Sequence, residues 1–341
     1  MPFGKTEMPL GNILVFHLVI FATVLHFCLK SLPSFQERIK MDQKKFDVII
    51  IGGSYSGLSA AMALGRSLRK VLVIDAGQPC NRQTPHSHNF LTQDGKTPAE
   101  ISAIARQQVE RYDTVIFHSG LATEGKKTDF GFEIRTEDGE AYEGKKLIFA
   151  AGLRDIMPDI PGFAACWGIS VIHCPYCHGY EVRNQTTGIF VNDDIAFDFA
   201  KLIRNWTKDL TLFTHGKSTL TKDQSDKLIE RGVKIIESKI VQIEHEDGKI
   251  SQIHLEDGAK IALAAMYAKT DFAQSSDIPA SLGCAINSNG FLDVDMMQKT
   301  SVPGIFACGD TANLFRTVSY AVSAGTMAGA ACNKELIDGE F

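Results

Sequence analysis

The strongest constraint on the fold is a strand that runs directly into a glycine turn. Phe46-Asp47-Val48-Ile49-Ile50-Ile51 is a continuous apolar run of the kind buried on both faces of a parallel sheet. Gly52-Gly53-Ser54-Tyr55-Ser56-Gly57 follows at once, and a helical stretch rich in alanine and leucine runs from Leu58 to Leu68. Gly52 suits the turn and Gly57 the close helix–strand contact, while Ser54 replaces the middle glycine with a side chain small enough for a pyrophosphate to approach. A second strand, Lys70 to Ile74, ends in Asp75, where a carboxylate would bind a ribose hydroxyl. The spacing predicts a dinucleotide fold. Gly52, Ser54, Tyr55, Ser56, Gly57 and Asp75 are its expected contacts, with the pyrophosphate on backbone N–H groups at the positive end of the helix.

A chain of 341 residues, 44% hydrophobic and with 29 glycines, is long enough for two domains of ordinary size. The net charge of −5 gives no basic excess, which argues against nucleic acid as a partner. Eight cysteines are too sparse for a secreted disulfide scaffold and suit mostly reduced thiols in the cytosol. A weak internal repeat of strand, turn and helix links 47–66 with 187–206. After Asp75, the polar loop Gly77 to His88 reads as cofactor or substrate contact. Within it Asn81 and Arg82 could reach a phosphate or ribose, and Cys80 is a small buried filler unless it joins them. Residues 115–136 are expected as a small antiparallel meander, and 147–152 as a last apolar strand closing at Ala150-Ala151-Gly152.

The second feature is His173-Cys174-Pro175-Tyr176-Cys177-His178-Gly179-Tyr180-Glu181. A Cys-x-x-Cys pair can close a disulfide or chelate half a metal site. No second such pair supplies the remaining ligands, and adjacent residues such as His173 and His178 rarely converge on one ion, so no metal is assigned. The redox reading gains from His178, an imidazole beside a thiol that can take its proton near neutral pH. Glu181, three residues on, either orients that imidazole on a helical turn or sits on a solvated helix face.

The Ala-Ala-Gly strand end, the Cys-x-x-Cys about twenty residues later, and Thr300-Ser301-Val302-Pro303-Gly304-Ile305-Phe306-Ala307-Cys308-Gly309-Asp310 together resemble the low-molecular-weight thioredoxin reductase family of FAD proteins. The resemblance covers residues 46–335. It implies an α/β fold of two Rossmann-like (three-layer ββα) nucleotide-binding domains, the second inserted in the first. The FAD domain would comprise 46–155 and 290–341, and the inserted NAD(P)H-type domain 156–289. It further implies FAD contacts at Gly152, Gly309, Asp310 and Thr317, a helix starting at Arg316 to Gly325 beneath the flavin ring, and a homodimer. The run Cys-Pro-Tyr-Cys-His-Gly-Tyr-Glu resembles a branch that includes dithiol oxidases of disulfide natural products. In that branch a histidine takes the place of the aspartate acid of thioredoxin reductases.

The second nucleotide motif departs from the family. Gly188 to Val191 leads into Asn192-Asp193-Asp194, with no glycine turn and with two carboxylates where a diphosphate would approach. Leu210 to Phe213 ends in Thr214-His215-Gly216-Lys217 in place of the family's arginine cluster. NADPH use is therefore doubtful. The expected activity is FAD-dependent thiol–disulfide exchange with a small dithiol or a thioredoxin-like protein. Cys174 would be the more exposed and meet the substrate, Cys177 would face the flavin, His178 would move the proton and Glu181 would support it. As a dithiol oxidase the protein would deliver electrons to oxygen. As a reductase it would run toward a thioredoxin-like partner, and a flavin sensor without turnover is a third reading.

Leu10 to Leu29 carries no formal charge outside His17 and His26, and its length can span a bilayer. Positive charge after it would leave the body of the protein on the cytoplasmic side. Alternatively, translation begins at Met41 and the leader 1–45 is an over-extended start. A cleaved signal peptide is disfavoured because no small-residue cleavage site follows.

Overall fold

A computed structural model describes residues 44–341, so the leader reading lies outside the described residues. Among the described residues no helix is long and apolar enough to cross a membrane.

The first sheet grows from the apolar run. Strands β1 (Lys45–Ile51), β2 (Val71–Asp75) and β3 (Val115–Ser119) pair in parallel, Val48 opposite Val71 and Val71 opposite Val115. Helix α1 (Tyr55–Arg66) crosses from β1 to β2, and α2 (Pro98–Val109) precedes β3. Strands β4 (Ala122–Lys127), β5 (Phe132–Thr136) and β6 (Ala141–Phe149) form the antiparallel meander, and β6 returns the chain to β1. The meander thus lies one strand later than expected. Val115–Ser119 is a parallel strand because α2 carries the chain across the sheet to β2 before it begins. Side chains of β1 and β2 alternate between two cores: Val48, Ile50, Val71 and Val73 face one, Ile49, Ile51, Leu72 and Ile74 the other. Burial on both faces explains the lack of polar alternation, and each such side chain contributes about 1.5–3 kcal/mol.

Strand β7 (Leu153–Ile156) leaves this sheet. The second sheet is wholly parallel and is built from β8 (Val171–Ile172), β9 (Thr187–Phe190), β10 (Leu210–Phe213), β11 (Lys234–Ile236) and, beyond an antiparallel three-stranded sheet, β15 (Ala265–Ala268). That three-stranded sheet comprises β12 (Ile240–Glu246), β13 (Lys249–Leu255) and β14 (Lys260–Ala262). Short helices α3 (Phe163–Cys166) and α4 (Pro175–His178) flank β8, and α5 (Ala196–Ile203) and α6 (Lys222–Glu230) follow β9 and β10. The chain returns on β16 (Asp271–Gln274), antiparallel to β7 with Ile156 opposite Asp271.

After α7 (Ile278–Ser281), strand β17 (Ile305–Ala307) joins β6 in parallel, and α8 (Val318–Glu340) closes the fold against α1. Glycines make that closure possible. A Cβ on Gly325 would overlap the Ser56 carbonyl oxygen, and one on Gly329 would lie 2.7 Å from the Ala60 carbonyl oxygen. Ser59 donates to the Val322 carbonyl at 2.7 Å across the same interface.

Candidate active site

The glycine turn has the shape that its sequence predicts. Gly52 takes φ +105°, a conformation open to glycine, and a Cβ there would run into the Ala150 carbonyl oxygen. A Cβ on Gly57 would overlap the Gly52 carbonyl oxygen, and one on Gly53 would stand 2.7 Å from the Asp75 Cβ. Ser54 precedes α1 without a side-chain hydrogen bond to it. Ser56 is buried beneath Gly309, which has φ +77°, and a Cβ on Gly309 would come within 2.5 Å of the Ser56 hydroxyl. Gly152, at φ +70°, turns the chain from β6 into β7.

A cavity of about 420 Å³ opens over this turn, lined by Gly52, Gly53, Ser54, Asp75 and Arg82 among others. A smaller one, of about 120 Å³, is lined by Asn81, Cys174, Cys177, His178, Asp310 and Thr317, and it shares Cys80, Gln83, Asp155 and Trp167 with the first. The two form one trough from the dinucleotide turn to the cysteine pair. Asn81 donates to the Tyr55 hydroxyl at 3.3 Å, and Tyr55 donates to the Pro98 carbonyl at 3.3 Å, so the polar loop is fixed to α1. Arg82 donates to the Pro79 carbonyl at 3.2 Å. Cys80 is exposed, not a buried filler, with its thiol 3.8 Å from an Asp310 carboxylate oxygen.

Cys174 and Cys177 form a disulfide at the start of α4, and the Cys177 N–H donates to the Cys174 sulfur at 3.2 Å. Both cysteines are half-buried, so burial does not single out Cys174. Burial holds His178 below its ordinary value of 6.5; the Glu181 charge opposes that shift and His88 adds to it. The neutral imidazole, able to accept a thiol proton, is thereby favoured. Burial pushes His173 down to about 4, with the Arg316 cation acting in the same direction. Helix α4 ends at His178, so Glu181 lies beyond it, and its carboxylate approaches His88, 3.6 Å from Nε2.

The floor of the trough holds ionic contacts that local sequence patterns do not reveal. Arg316, just before α8, donates to both oxygens of Asp155 on β7, and Trp167 Nε1 donates to the same carboxylate at 3.2 Å. Asp310 lies 3.6 Å from Arg316 Nε; burial raises its pKa and the guanidinium opposes the rise. Burial alone would lower Arg316, but its bonds to Asp155 and the charges of Asp155 and Asp310 hold it above its ordinary value. Thr317 caps α8, accepting from the Tyr320 N–H at 3.2 Å, and Thr317 and Val318 line the trough. The positive end of a 23-residue helix therefore faces it.

The second dinucleotide turn is closed. Asn192 Nδ2 donates to the Lys217 carbonyl at 2.9 Å, while Asn192 Oδ1 accepts from the Thr219 N–H at 3.0 Å and the Thr219 hydroxyl at 3.2 Å. One side chain thus ties the loop after β9 to the loop after β10. Asp193 Oδ1 accepts from the Ile195 N–H at 3.0 Å, which puts a carboxylate on an amide just before α5, where a phosphate would need donors.

A strand–glycine-turn–helix trough ending at a disulfide with a neighbouring imidazole defines a dinucleotide-dependent disulfide oxidoreductase. The chain belongs to the pyridine nucleotide-disulphide oxidoreductase family, whose pattern matches residues 46–325. It is a thioredoxin reductase-like flavoprotein disulfide oxidoreductase. The thioredoxin reductase tcpT of Claviceps purpurea (strain 20.1) is 33% identical over 85% of this chain and 94% of that protein. The thioredoxin reductase sirT of Leptosphaeria maculans is 31% identical over 87% and 96%. Among solved structures, an oxidoreductase from Agrobacterium tumefaciens is 40% identical, covers 86% of this chain and 99% of that one, and superposes with a TM-score of 0.82.

Proposed function

We propose that the chain is an FAD-dependent thiol–disulfide oxidoreductase that works through Cys174–Cys177 and does not use NADPH in the conventional way. The Asn192 side chain bridging the two loops of the second dinucleotide turn carries this reading. A dinucleotide phosphate would have to break those bonds and approach Asp193 and Asp194, whereas the first turn stays open over its trough.

The trough suits FAD. Gly52, Gly53, Ser54 and Asp75 line the larger cavity, with Asp75 at the end of β2 where a carboxylate would bind a ribose hydroxyl, and Asp310 and Thr317 line the smaller one beside the disulfide. When bound, FAD supplies a two-electron carrier beside the disulfide. The protein's own chemistry is thiol exchange. A substrate thiol gives its proton to His178, and its thiolate attacks Cys174 Sγ, forming a mixed disulfide and releasing Cys177 with the electron pair. A second substrate thiol, its proton taken in turn by His178, displaces Cys174 as thiolate, leaving a substrate disulfide and the reduced cysteine pair.

The substrate class is a small dithiol or a thioredoxin-like protein. We further assign residues 156–289 to an inserted domain, the working form to a homodimer, and the site of action to the cytoplasm, where free thiols such as Cys166, Cys284, Cys308 and Cys332 persist. A second reading, an NADPH-dependent thioredoxin reductase, draws support from the names of the relatives tcpT, sirT and aclD.

Anaerobic stopped-flow absorbance of the purified yellow protein separates the two. Bleaching by dithiothreitol but not by NADPH, with recovery in air, is the expected result. Fast bleaching by NADPH overturns the closed-turn argument and favours the second reading.

A further inference from the structure

The cavity at Cys174–Cys177 is lined by His88, His173 and His178, of which the chemistry above uses only His178. His88 sits on a loop that is held at several points. The Ser87 N–H donates to the Lys96 carbonyl at 2.7 Å, the Gly95 N–H to the Ser87 carbonyl at 2.9 Å, and the Asn89 N–H to Asp94 Oδ1 at 2.7 Å. Asn89 and Thr92 adopt left-handed backbone, at φ 60° and 74°, which non-glycine residues keep only where the surroundings enforce it. The loop places the imidazole between two carboxylates, with Nδ1 3.5 Å from Asp94 Oδ2 and Nε2 3.6 Å from Glu181 Oε1. An imidazole with a carboxylate at each nitrogen can take a proton on one side and release one on the other. Side-chain exposure is 22% at His88, 40% at Glu181 and 65% at Asp94, so Asp94 is the most exposed of the three.

We propose that His88 is a positioning residue that carries the proton of the incoming thiol away from the disulfide, receiving it through Glu181 and releasing it past Asp94 to solvent. The proposal rests on the thiol–disulfide reading above. The substrate S–H bond breaks and its proton goes to the His178 imidazole; the sulfur keeps the electron pair and bonds to Cys174 Sγ, and the S–S bond breaks with its pair on Cys177. The proton then passes from His178 to the Glu181 carboxylate and on to His88 Nε2, while His88 Nδ1 gives up its own toward Asp94. His178 is neutral again for the second thiol. The titratable groups that face His88 are Asp94 and His86 on its own loop, His86 with its ring centroid 6.3 Å away, and Glu181 and His178 from the segment after the disulfide. Electrostatics runs the same way: Glu181 favours a proton on His178, and His88 opposes it.

The test follows bleaching of the flavin by dithiothreitol under anaerobic conditions, from about pH 5.5 to about pH 9, in the purified wild type, His88→Gln and His88→Ala. Both variants should keep the bound-flavin spectrum and lose roughly tenfold or more in bimolecular rate near neutral pH. The midpoint of the pH–rate curve should move upward, because His88 opposes a proton on His178 and its removal lifts that opposition. Free imidazole should restore the rate of His88→Ala but not of His88→Gln, whose side chain fills the space. If His88→Ala does not retain flavin, the rate and pH profile of His88→Gln, whose amide N–H can donate to one of the two carboxylates, decide the matter. Variants that match the wild type in rate and profile overturn the proposal. So does a loss that leaves the pH profile unmoved and that imidazole does not restore. Failure of dithiothreitol to bleach the wild type at any pH would instead defeat the thiol–disulfide reading, whatever the variants do.

Discussion

Arg316 grips both carboxylate oxygens of Asp155, at 2.7 and 3.1 Å, and joins the approach to the last helix to the strand on which the chain leaves the first sheet. Both side chains are buried, 11% and 6% exposed, so neither charge can turn to water if the other is lost.

Arg316→Met should therefore destabilise the protein by about 3–5 kcal/mol, since it strands Asp155 and brings Asp310 no compensating cation. Urea unfolding measures the loss. Adding Asp155→Asn to that variant should recover part of it. A single variant as stable as the wild type would show that water reaches this pair.

Helix α8 is pressed onto α1 at Gly325. Gly325→Ala places a methyl group against the Ser56 carbonyl oxygen, and main chain cannot yield as a flexible side chain would. A loss of roughly 1–3 kcal/mol is expected, read as a lower Tm. An unchanged Tm would mean that the two helices can separate at no cost.

Burial holds His173 near 4 while the unfolded chain titrates near 6.5, so the unfolded state binds the extra proton between those values. The contribution is complete above about pH 6.5 and is lost as pH falls toward about 4, on the order of 3 kcal/mol in total. His173→Gln should flatten the decline in urea midpoint with acid. The remaining slope belongs in part to His178 and His215, whose values burial also lowers. An identical decline in variant and wild type would mean that His173 is not protonated differently in the two states.

The parts of the fold legible in the sequence are those whose cause is local. β1 and its glycine turn announce themselves because a strand buried on both faces has no polar alternation and because the Gly52 φ admits little else. The strands at 187–190 and 210–213 were readable on the same grounds. The third parallel strand reads as part of the meander by alternation alone, and only the crossover helix α2 before it makes it parallel. The signal for α2 was present: Thr97 and Glu100 form a reciprocal capping box, with Pro98 at the first helical position.

The candidate site was legible in its nucleophiles and hidden in its supports. Cys174, Cys177 and His178 are neighbours in the chain, whereas Arg316 reaches Asp155 across 161 positions. His88 meets Glu181 only because the folded loop carries it there. Sequence spacing cannot report such pairs, and it placed Glu181 on a helical turn that ends three residues too soon.

The antiparallel register of β7 and β16 sets Ile156 directly across from Asp271, so everything between them begins and ends at one place. That has a kinetic meaning. β17 cannot join β6 until a very long stretch of chain has been drawn in, and the entropy of closing a loop grows with its length. Once β7 and β16 have zipped, the intervening residues drop out of that loop, and what remains to be closed is the short path through α7. The ribbon makes a late, distant strand pairing into a nearly local one.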